Sequence, residues 1–555
     1  MIGKLLNRET TNITGAALLL GVASLVSRIL GVLRERLLVG RFGVGPELDA
    51  YYAAFQVPNM IYNLLVLGTL SVAFIPVFTA LWQKRDQDAW HFADGVLTAT
   101  ALAMGALAAG VALFAQPLTD AFLPGFAPAT RVLTVEITRI LALSVFLFSL
   151  SNVFGSVLNA RKRFLAVAAA PVVYNAAIIA GILTGQGVRG VAWFVVVGAA
   201  LHLCVQAAAA LNVGWRVRTS FAFSGAAFRD FLKLFVPRIW GVDISQVSVF
   251  VGTAIGSTLA SGSVALFNLA TNIAMVPVAV FGYPFAIAAF PTLTDSLARD
   301  DRDGFVRAFG AASRQIIFFL LPVGFLTIVL RAQIVRLTIG TRQLSWDDTR
   351  LAAAALALFA LTLFLQGLAP LFSRAFYAMK NTWIPVLVSG AAVAVNVIFA
   401  WGFPAFLAAD GPVVDALVRI LRLEGIVDLR MLALPLAFSA AASVQVVALA
   451  VVFRFRFGSF GGRRLALSAA KVLAASLLAA VAAYGGLPAA EPFAQTRTYL
   501  GLFAQFLIAA GLGGAVYMLA ALVFKTEEAE LFLSAAHKRV MRITRPLGVG
   551  EGERL

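Results

Sequence analysis

Long apolar runs separated by short, mostly basic connectors dominate the chain. A run of about 20 apolar residues is long enough to cross the hydrocarbon core of a bilayer as a helix. Such runs fall near 14–33, 51–80, 93–116, 134–158, 165–185, 190–213, 231–259, 264–294, 315–336, 351–377, 383–406, 431–453, 465–488 and 499–524. The pattern predicts an all-α polytopic membrane protein with about fourteen transmembrane helices. The second run holds Pro58 and Pro76, and the eighth holds Pro277, Pro284 and Pro291, so both are expected to bend or tilt.

Two stretches of the pattern recur. VFGSVLNARKR (153–163) matches LFSRAFYAMKN (371–381), and AFIPVFTAL (73–81) matches AAFPTLTDSL (288–297), in the same order and at nearly the same offset. Duplicated helical halves are common in transporters. The chain is therefore divided into an N-terminal lobe of six helices (1–220), a C-terminal lobe of six (221–455), and two further helices with a basic tail (456–555).

Composition reinforces this picture: 61% of residues are hydrophobic, 13% are charged and the formal net charge is +17. Such a balance exceeds ordinary globular usage. The basic residues sit in alternate connectors, at Arg161-Lys162-Arg163, Arg216/Arg218, Arg299/Arg302/Arg307 and Arg454/Arg456/Arg463/Arg464, and in the tail. That distribution places those connectors and both termini in the cytoplasm. The longest opposite connector, 407–430, holds an amphipathic stretch, VVDALVRILRL. No nucleic-acid signature accompanies the positive charge. One cysteine and three histidines leave no Cys/His metal cluster, and no nucleotide-binding or hydrolase motif occurs. The expectation is a transporter, not an enzyme, with no cofactor and no cleaved leader. Na+ or Cl− coupling and the membrane potential are left open as its drive.

The richest candidate chemistry lies between Ser27 and Phe78. There an apolar run meets Arg28, Arg34 and Glu35, and a second run carries Asp49, Pro58, Asn59, Tyr62 and Asn63. Charges inside membrane helices are costly and by default face a polar cavity or a substrate path. Arg238 and Asp243, five residues apart in the seventh run, and Arg374 in the tenth are further candidates. Each has a plainer reading: arginines anchor helix ends by snorkelling, acids fix a neighbouring cation, and intramembrane asparagines join helices.

The segments SRILGVLRE (27–35), FGVGPELDAYYAAFQVPN (42–59), GTLSVAFIPVF (68–78), GSVLNARKRF (155–164), FPTLTDSLAR (290–299) and SRAFYAMKNTWIPV (373–386) resemble the MurJ/MviN lipid II flippases of the MOP exporter superfamily. The resemblance covers nearly the whole chain. It implies two pseudo-symmetric six-helix lobes of MATE-like type plus two C-terminal helices. It also implies a monomer in the bacterial inner membrane that moves undecaprenyl-pyrophosphate-linked peptidoglycan precursor from the inner to the outer leaflet. Arg28 and Arg34 match the family's first-helix arginines, Glu35 stands where the family usually has Asp, and Asp49 matches the acid of its second helix. Arginine suits a pyrophosphate through its planar, permanently charged fork. Acids nearby would pair the arginines when the cavity is empty. The lipid tail is expected in a groove near the last two helices.

The chain also departs from the family. PNMIYNLLVLG (58–68) stands where the family usually reads PNLLRRLFAEG, so an arginine pair becomes Tyr62-Asn63. ATNIAMVP (270–277) places Asn272 where an arginine is usual. Neutral groups bind phosphate more weakly than cations. Arg238 and Arg374 are expected to compensate, or the head group differs. The alternatives are a flippase for another lipid-linked oligosaccharide, a cation-coupled multidrug exporter, and a scaffold that recruits cell-wall synthesis proteins through loops and tail.

Overall fold

A computed structural model describes residues 13–66, 70–221, 223–239, 244–409, 411–458, 462–489 and 498–534. Side chains of residues 13–21, 237–239 and 244–245 are not described. Asp243 and the basic tail therefore lie outside the described residues, as does the side chain of Arg238.

The described chain is helical throughout. The helices are α1 (Ile13–Phe42), α2 (Pro46–Ala54), α3 (Gln56–Leu65), α4 (Leu70–Lys84), α5 (Asp86–Leu113), α6 (Ala115–Phe122), α7 (Pro128–Ala160), α8 (Phe164–Leu183), α9 (Gly187–Asn212), α10 (Ala226–Ile239), α11 (Ile244–Gly256), α12 (Ser263–Pro277), α13 (Tyr283–Ala298), α14 (Arg302–Thr338), α15 (Trp346–Ala360), α16 (Leu363–Ala378), α17 (Trp383–Ala408), α18 (Pro412–Leu421), α19 (Ala433–Phe457), α20 (Gly462–Ala489) and α21 (Tyr499–Val523). Among the described residues eleven helical spans are long and apolar enough to cross a membrane, or twelve when the bent pair α15–α16 counts as one. They coincide with twelve of the expected runs. The other two are the first run, α1, and the seventh, α10–α11; both extend into residues whose side chains or backbone are not described. The count of fourteen is thus not reached on the described residues.

Bends occur where proline or a polar break interrupts the ladder of backbone hydrogen bonds. α2 gives way to α3 at Phe55, three residues before Pro58. α15 and α16 meet at 43°. After Pro277 the chain makes one wide turn of π-helix, Val278–Gly282. There a Cβ on Gly282 would stand 3.0 Å from the Cα of Gly367, so the two backbones approach too closely for a side chain.

The chain forms two compact units. One draws on Met1–Thr271, Thr338–Ala355 and Ser389–Ala440, the other on Asn272–Leu337, Leu356–Val388 and Ala441–Leu555. They are discontinuous in sequence and cut across the linear division into two lobes and a tail. In the first unit α7 is the centre, packed by α2, α4, α5, α6 and α9, while α8 packs on α1 and α9. An aromatic core of Phe74, Phe78, Phe92, Phe154 and Trp215 closes one end of it. The buried Asp94 carboxylate accepts from Trp215 Nε1 at 2.8 Å and from the Arg218 amide at 3.0 Å, which ties the connector leaving α9 to α5. Arg161 lies over the Trp82 ring at 3.8 Å, a cation–π contact that gives this connector cation a structural seat.

The second unit is built on α13, α14 and α16 and on the last two helices. Phe305, Phe309, Phe372, Phe376 and Phe453 form its core. Pro322 lies inside α14 and has no N–H, so the carbonyl of Phe318 one turn earlier loses its helical donor. The buried hydroxyl of Tyr517 on α21 donates to that carbonyl at 2.6 Å. Arg314 of α14 pairs with Glu528 beyond α21 at 2.8 Å, and Ser468 of α20 donates to the same carboxylate at 3.3 Å. An apolar cavity of about 310 Å³ opens between α14, the α15–α16 bend and α20, lined by Leu320, Phe325, Leu361, Phe364 and Leu473 among others.

The two segments paired by the sequence repeat end alike. Lys162 and Lys380 both adopt a left-handed conformation with φ of 56°. In each case the next residue's amide bonds back five residues, Arg163 to Leu158 at 2.8 Å and Asn381 to Phe376 at 3.0 Å. This is a Schellman closure of the helix end.

The Tyr517–Phe318 bond yields a direct test. Tyr517→Phe retains the ring and strands a buried carbonyl, so unfolding of the purified protein in detergent should show a loss of about 1–2 kcal/mol. No loss would mean that the carbonyl finds another donor.

Candidate functional site

Within the first unit, α1 carries Ser27 and Arg34 seven residues apart, hence on one face of the helix, and that face meets α8. Arg34 donates through Nη1 to Asn175 Oδ1 of α8 at 3.1 Å. Its Nη2 pairs with Glu35 Oε1 at 2.5 Å. The other carboxylate oxygen of Glu35 accepts from the Tyr52 hydroxyl of α2. Asn175 in turn donates to Ser27 Oγ at 3.2 Å. Arg34, Glu35, Tyr52 and Asn175 thus form one polar cluster inside a helical body. Its charges cancel locally, which is how a low-dielectric interior tolerates them. The Arg34 Nε–H is buried and takes no protein partner. It is the one nitrogen of this guanidinium to which the cluster gives no partner. Arg28, by contrast, is exposed.

A second set of polar groups runs along α2 and α3. Asp49, Gln56 and Asn63 follow one another at seven-residue intervals, so they share one side of the bent helix. All three engage the segment 244–268. Asp49 is buried, and its two oxygens accept from the amides of Gly262 and Ala265 at 2.6 and 2.7 Å, at the start of α12. The first amides of a helix have no partner within it, and a carboxylate there also meets the positive end of the helix dipole. Gln56 donates to Asn268 Oδ1 at 3.2 Å, and Asn63 donates to Gln246 Oε1 at 2.7 Å. Together they make a polar seam between positions more than 180 residues apart in the chain.

The expected site residues therefore separate. Glu35 pairs with Arg34. Asp49 pairs with no arginine among the described residues and caps α12 instead. Asn63, where the family usually has arginine, closes an amide pair with Gln246; Tyr62 packs on Phe148 and bonds Asn152. Asn59 is exposed. In the second unit Asn272 is exposed, and Arg374 is half-buried with Nη1 donating to Pro370 O of its own helix at 3.3 Å. Tyr52, Gln56 and Gln246 were not among the expected residues. The seven-residue spacing from Asp49 through Gln56 to Asn63 was the sequence signal for the seam. Tyr52 had none, because its partner lies on another helix. Among the described residues no group of His, Cys, Asp or Glu is placed to hold a metal ion.

The fold defines a class. It superposes on a solved multidrug-resistance MATE family transporter of the MOP superfamily with a TM-score of 0.61 at 15% identity, over 80% of this chain and 99% of that one. With a solved lipid II flippase MurJ in an inward closed conformation the TM-score is 0.71 at 22% identity, over 91% of this chain and 98% of that one. The chain is a polytopic membrane protein of the transporter fold these two share.

The family is narrower. The profile of the lipid II flippase MurJ family matches residues 38–500, most of the chain, and the protein belongs to that family. A probable lipid II flippase MurJ of Borreliella burgdorferi is 25% identical over 377 residues, 67% of this chain and 74% of that protein.

The cap at Asp49 is directly measurable. Asp49→Ala leaves two amides at the start of α12 without their acceptor and should lower stability in detergent by about 1–2 kcal/mol, whereas Asp49→Asn should lose less because it keeps one acceptor. Equal losses for both variants would show that charge at the helix end dominates over the hydrogen bonds.

Proposed function

We propose that this protein is a flippase for the lipid-linked peptidoglycan precursor lipid II, moving it from the inner to the outer leaflet of a bacterial plasma membrane. Family membership over residues 38–500 supports the substrate class. The single structural observation that carries the reading is Arg34, a guanidinium held inside the helical body by Glu35 and Asn175 with a buried Nε–H to spare. A pyrophosphate arriving here meets a pre-oriented planar donor and competes with Glu35 for it. Exchange of one anion for another keeps the guanidinium partnered throughout, which avoids a lone buried charge. Arg28, exposed on the same helix, adds positive potential on the approach. Release on the far side would be assisted by re-formation of the Arg34–Glu35 pair.

Transport by alternating access requires that some contacts between distant segments open and close. The seam of Asp49, Gln56 and Asn63 against 244–268 is the proposed set. Its members are amides, a carboxylate and backbone N–H groups, each of which can exchange its partner for water at little net cost. An inside-negative potential acts on net cation movement at ~2.3 kcal/mol per charge per 100 mV. Coupling to Na+ or Cl− is a further way to drive the cycle.

One observation favours a second substrate within the same class. Asn63, now paired with Gln246, and the exposed Asn272 take positions where the family resemblance implies arginine. A site with fewer cations suits a lipid-linked glycan held more by hydrogen bonds from its sugars than by its phosphates.

The test is complementation of a bacterium depleted of its own lipid II flippase, with lipid II exposure at the outer leaflet as the readout. The wild-type chain should restore exposure. Arg34→Ala should abolish it with normal membrane insertion, and Arg34→Lys should lose at least about tenfold, since an ammonium cannot fill the fork. Normal exposure with Arg34→Ala removes the arginine from the mechanism. Failure of the inserted wild-type chain selects the other glycan.

The seam has its own test. In a Cys204→Ser background, Gln56→Cys and Asn268→Cys joined by a short thiol cross-linker should stop transport, and cleavage of the linker should restore it. Transport by the cross-linked protein would show that the seam stays closed throughout the cycle.

A further inference from the structure

The connector between α17 and α19 contains α18, Pro412–Leu421, with the sequence PVVDALVRIL. At about 100° per residue, Val413, Leu417 and Ile420 form one stripe, and Val414, Val418 and Leu421 form a second about 100° further round. Asp415 and Arg419 occupy the remaining side. The apolar arc is therefore wide, and only part of it is covered by the protein. Val414 and Leu421 are each 8% exposed, whereas Val413 is 64% and Ile420 is 73% exposed.

The exposed stripe is held at a fixed azimuth. Arg350, at the start of α15, donates to the Arg422 carbonyl at 2.9 and 2.6 Å and to the Glu424 carbonyl at 2.9 Å. These carbonyls lie in the turn just beyond α18, where Arg422 turns into the left-handed region with φ of 60°. A cation there also satisfies the negative end of the helix dipole. Beyond it Asp428 pairs with Arg430, whose hydrogen bonds hold the Asp428 carboxyl below the usual carboxylate range. α18 is clamped at its end and buried along one stripe, so the second stripe is presented, not left loose.

We propose that α18 lies in the interfacial layer of the bilayer, with Val413 and Ile420 seated among the first carbons of the acyl chains and Asp415 and Arg419 toward water and lipid head groups. The occupant of the exposed stripe is phospholipid, and the reason is continuity. α18 begins four residues after α17 ends, and the next membrane-spanning helix begins at Arg430. Ten residues of helix measure about 15 Å, too short to cross. On α17, Ile398, Trp401 and Phe406 are 65%, 75% and 45% exposed, so the span leading into α18 already presents apolar and aromatic groups to lipid. Tryptophan near a span's end marks the head-group level. A short helix with one apolar side and one charged side, attached at that level, fits the interface. The assignment stands whether or not the flippase reading does.

The experiment is nitroxide accessibility in the full-length protein reconstituted into phosphatidylethanolamine–phosphatidylglycerol liposomes. Single cysteines at Val413→Cys, Ile420→Cys and Asp415→Cys are made in the Cys204→Ser background and spin-labelled. All three sites are exposed, so the labels do not disturb packing. Labels at 413 and 420 should collide more with molecular oxygen than with a water-soluble nickel chelate, and the ratio should reverse at 415. Chelate-dominated collisions at all three sites would place α18 in water and overturn the proposal. Labels at 413 and 420 shielded from both reagents would mean that protein covers the stripe, a second copy or another chain, and would overturn it equally.

Discussion

The cost of leaving a polar group unpartnered in an apolar body governs this structure more than any other term. An uncompensated ion there costs several kcal/mol, and an unmatched hydrogen-bonding group about 1–3 kcal/mol. The Arg34–Glu35 pair is where that cost is highest, and a charge of opposite sign meets most of it. The guanidinium has a carboxylate and an amide, and the carboxylate has a phenol as well. This arrangement fixes α1 against α2 and α8.

The same constraint explains features remote from that cluster. Pro322 inside the long helix α14 frees a carbonyl, and Tyr517 of α21 supplies the missing donor. Through that bond, and through the Arg314–Glu528 pair, the last two helices become part of the second unit, not an appendage. Arg350 ties down two carbonyls of the turn that follows α18. In each case a polar group of one element is held by a partner supplied from a distant segment.

A transporter must combine this completeness with movement. The seam along Asp49, Gln56 and Asn63 is polar and regular, whereas the cores around Trp215 and Phe453 are mainly aromatic. Parting an aromatic core exposes apolar area at about 25 cal/mol per Å². Parting hydrogen-bonded amides trades them for water at a small net cost. That contrast is the physical basis of the proposed division between what holds and what opens.

The sequence by itself determined the all-helical, membrane-spanning class, because runs of about 20 apolar residues with basic connectors have no other stable solution in a bilayer. It also determined most spans and the amphipathic connector helix, since periodicity and proline are short-range properties. The motifs around Ser27–Asn59 pointed to the family and to Arg34. Only the tertiary structure decided the partners. That Glu35 neutralises Arg34 while Asp49 caps a helix more than 200 residues away depends on which helices pack together, and one carboxylate in a sequence looks like another. Tyr52, Gln246 and Tyr517 carried no local signal, because each acts on a group supplied by a distant segment. Which stripe of α18 faces protein was equally invisible, since both stripes read as apolar until the clamp at Arg350 is placed.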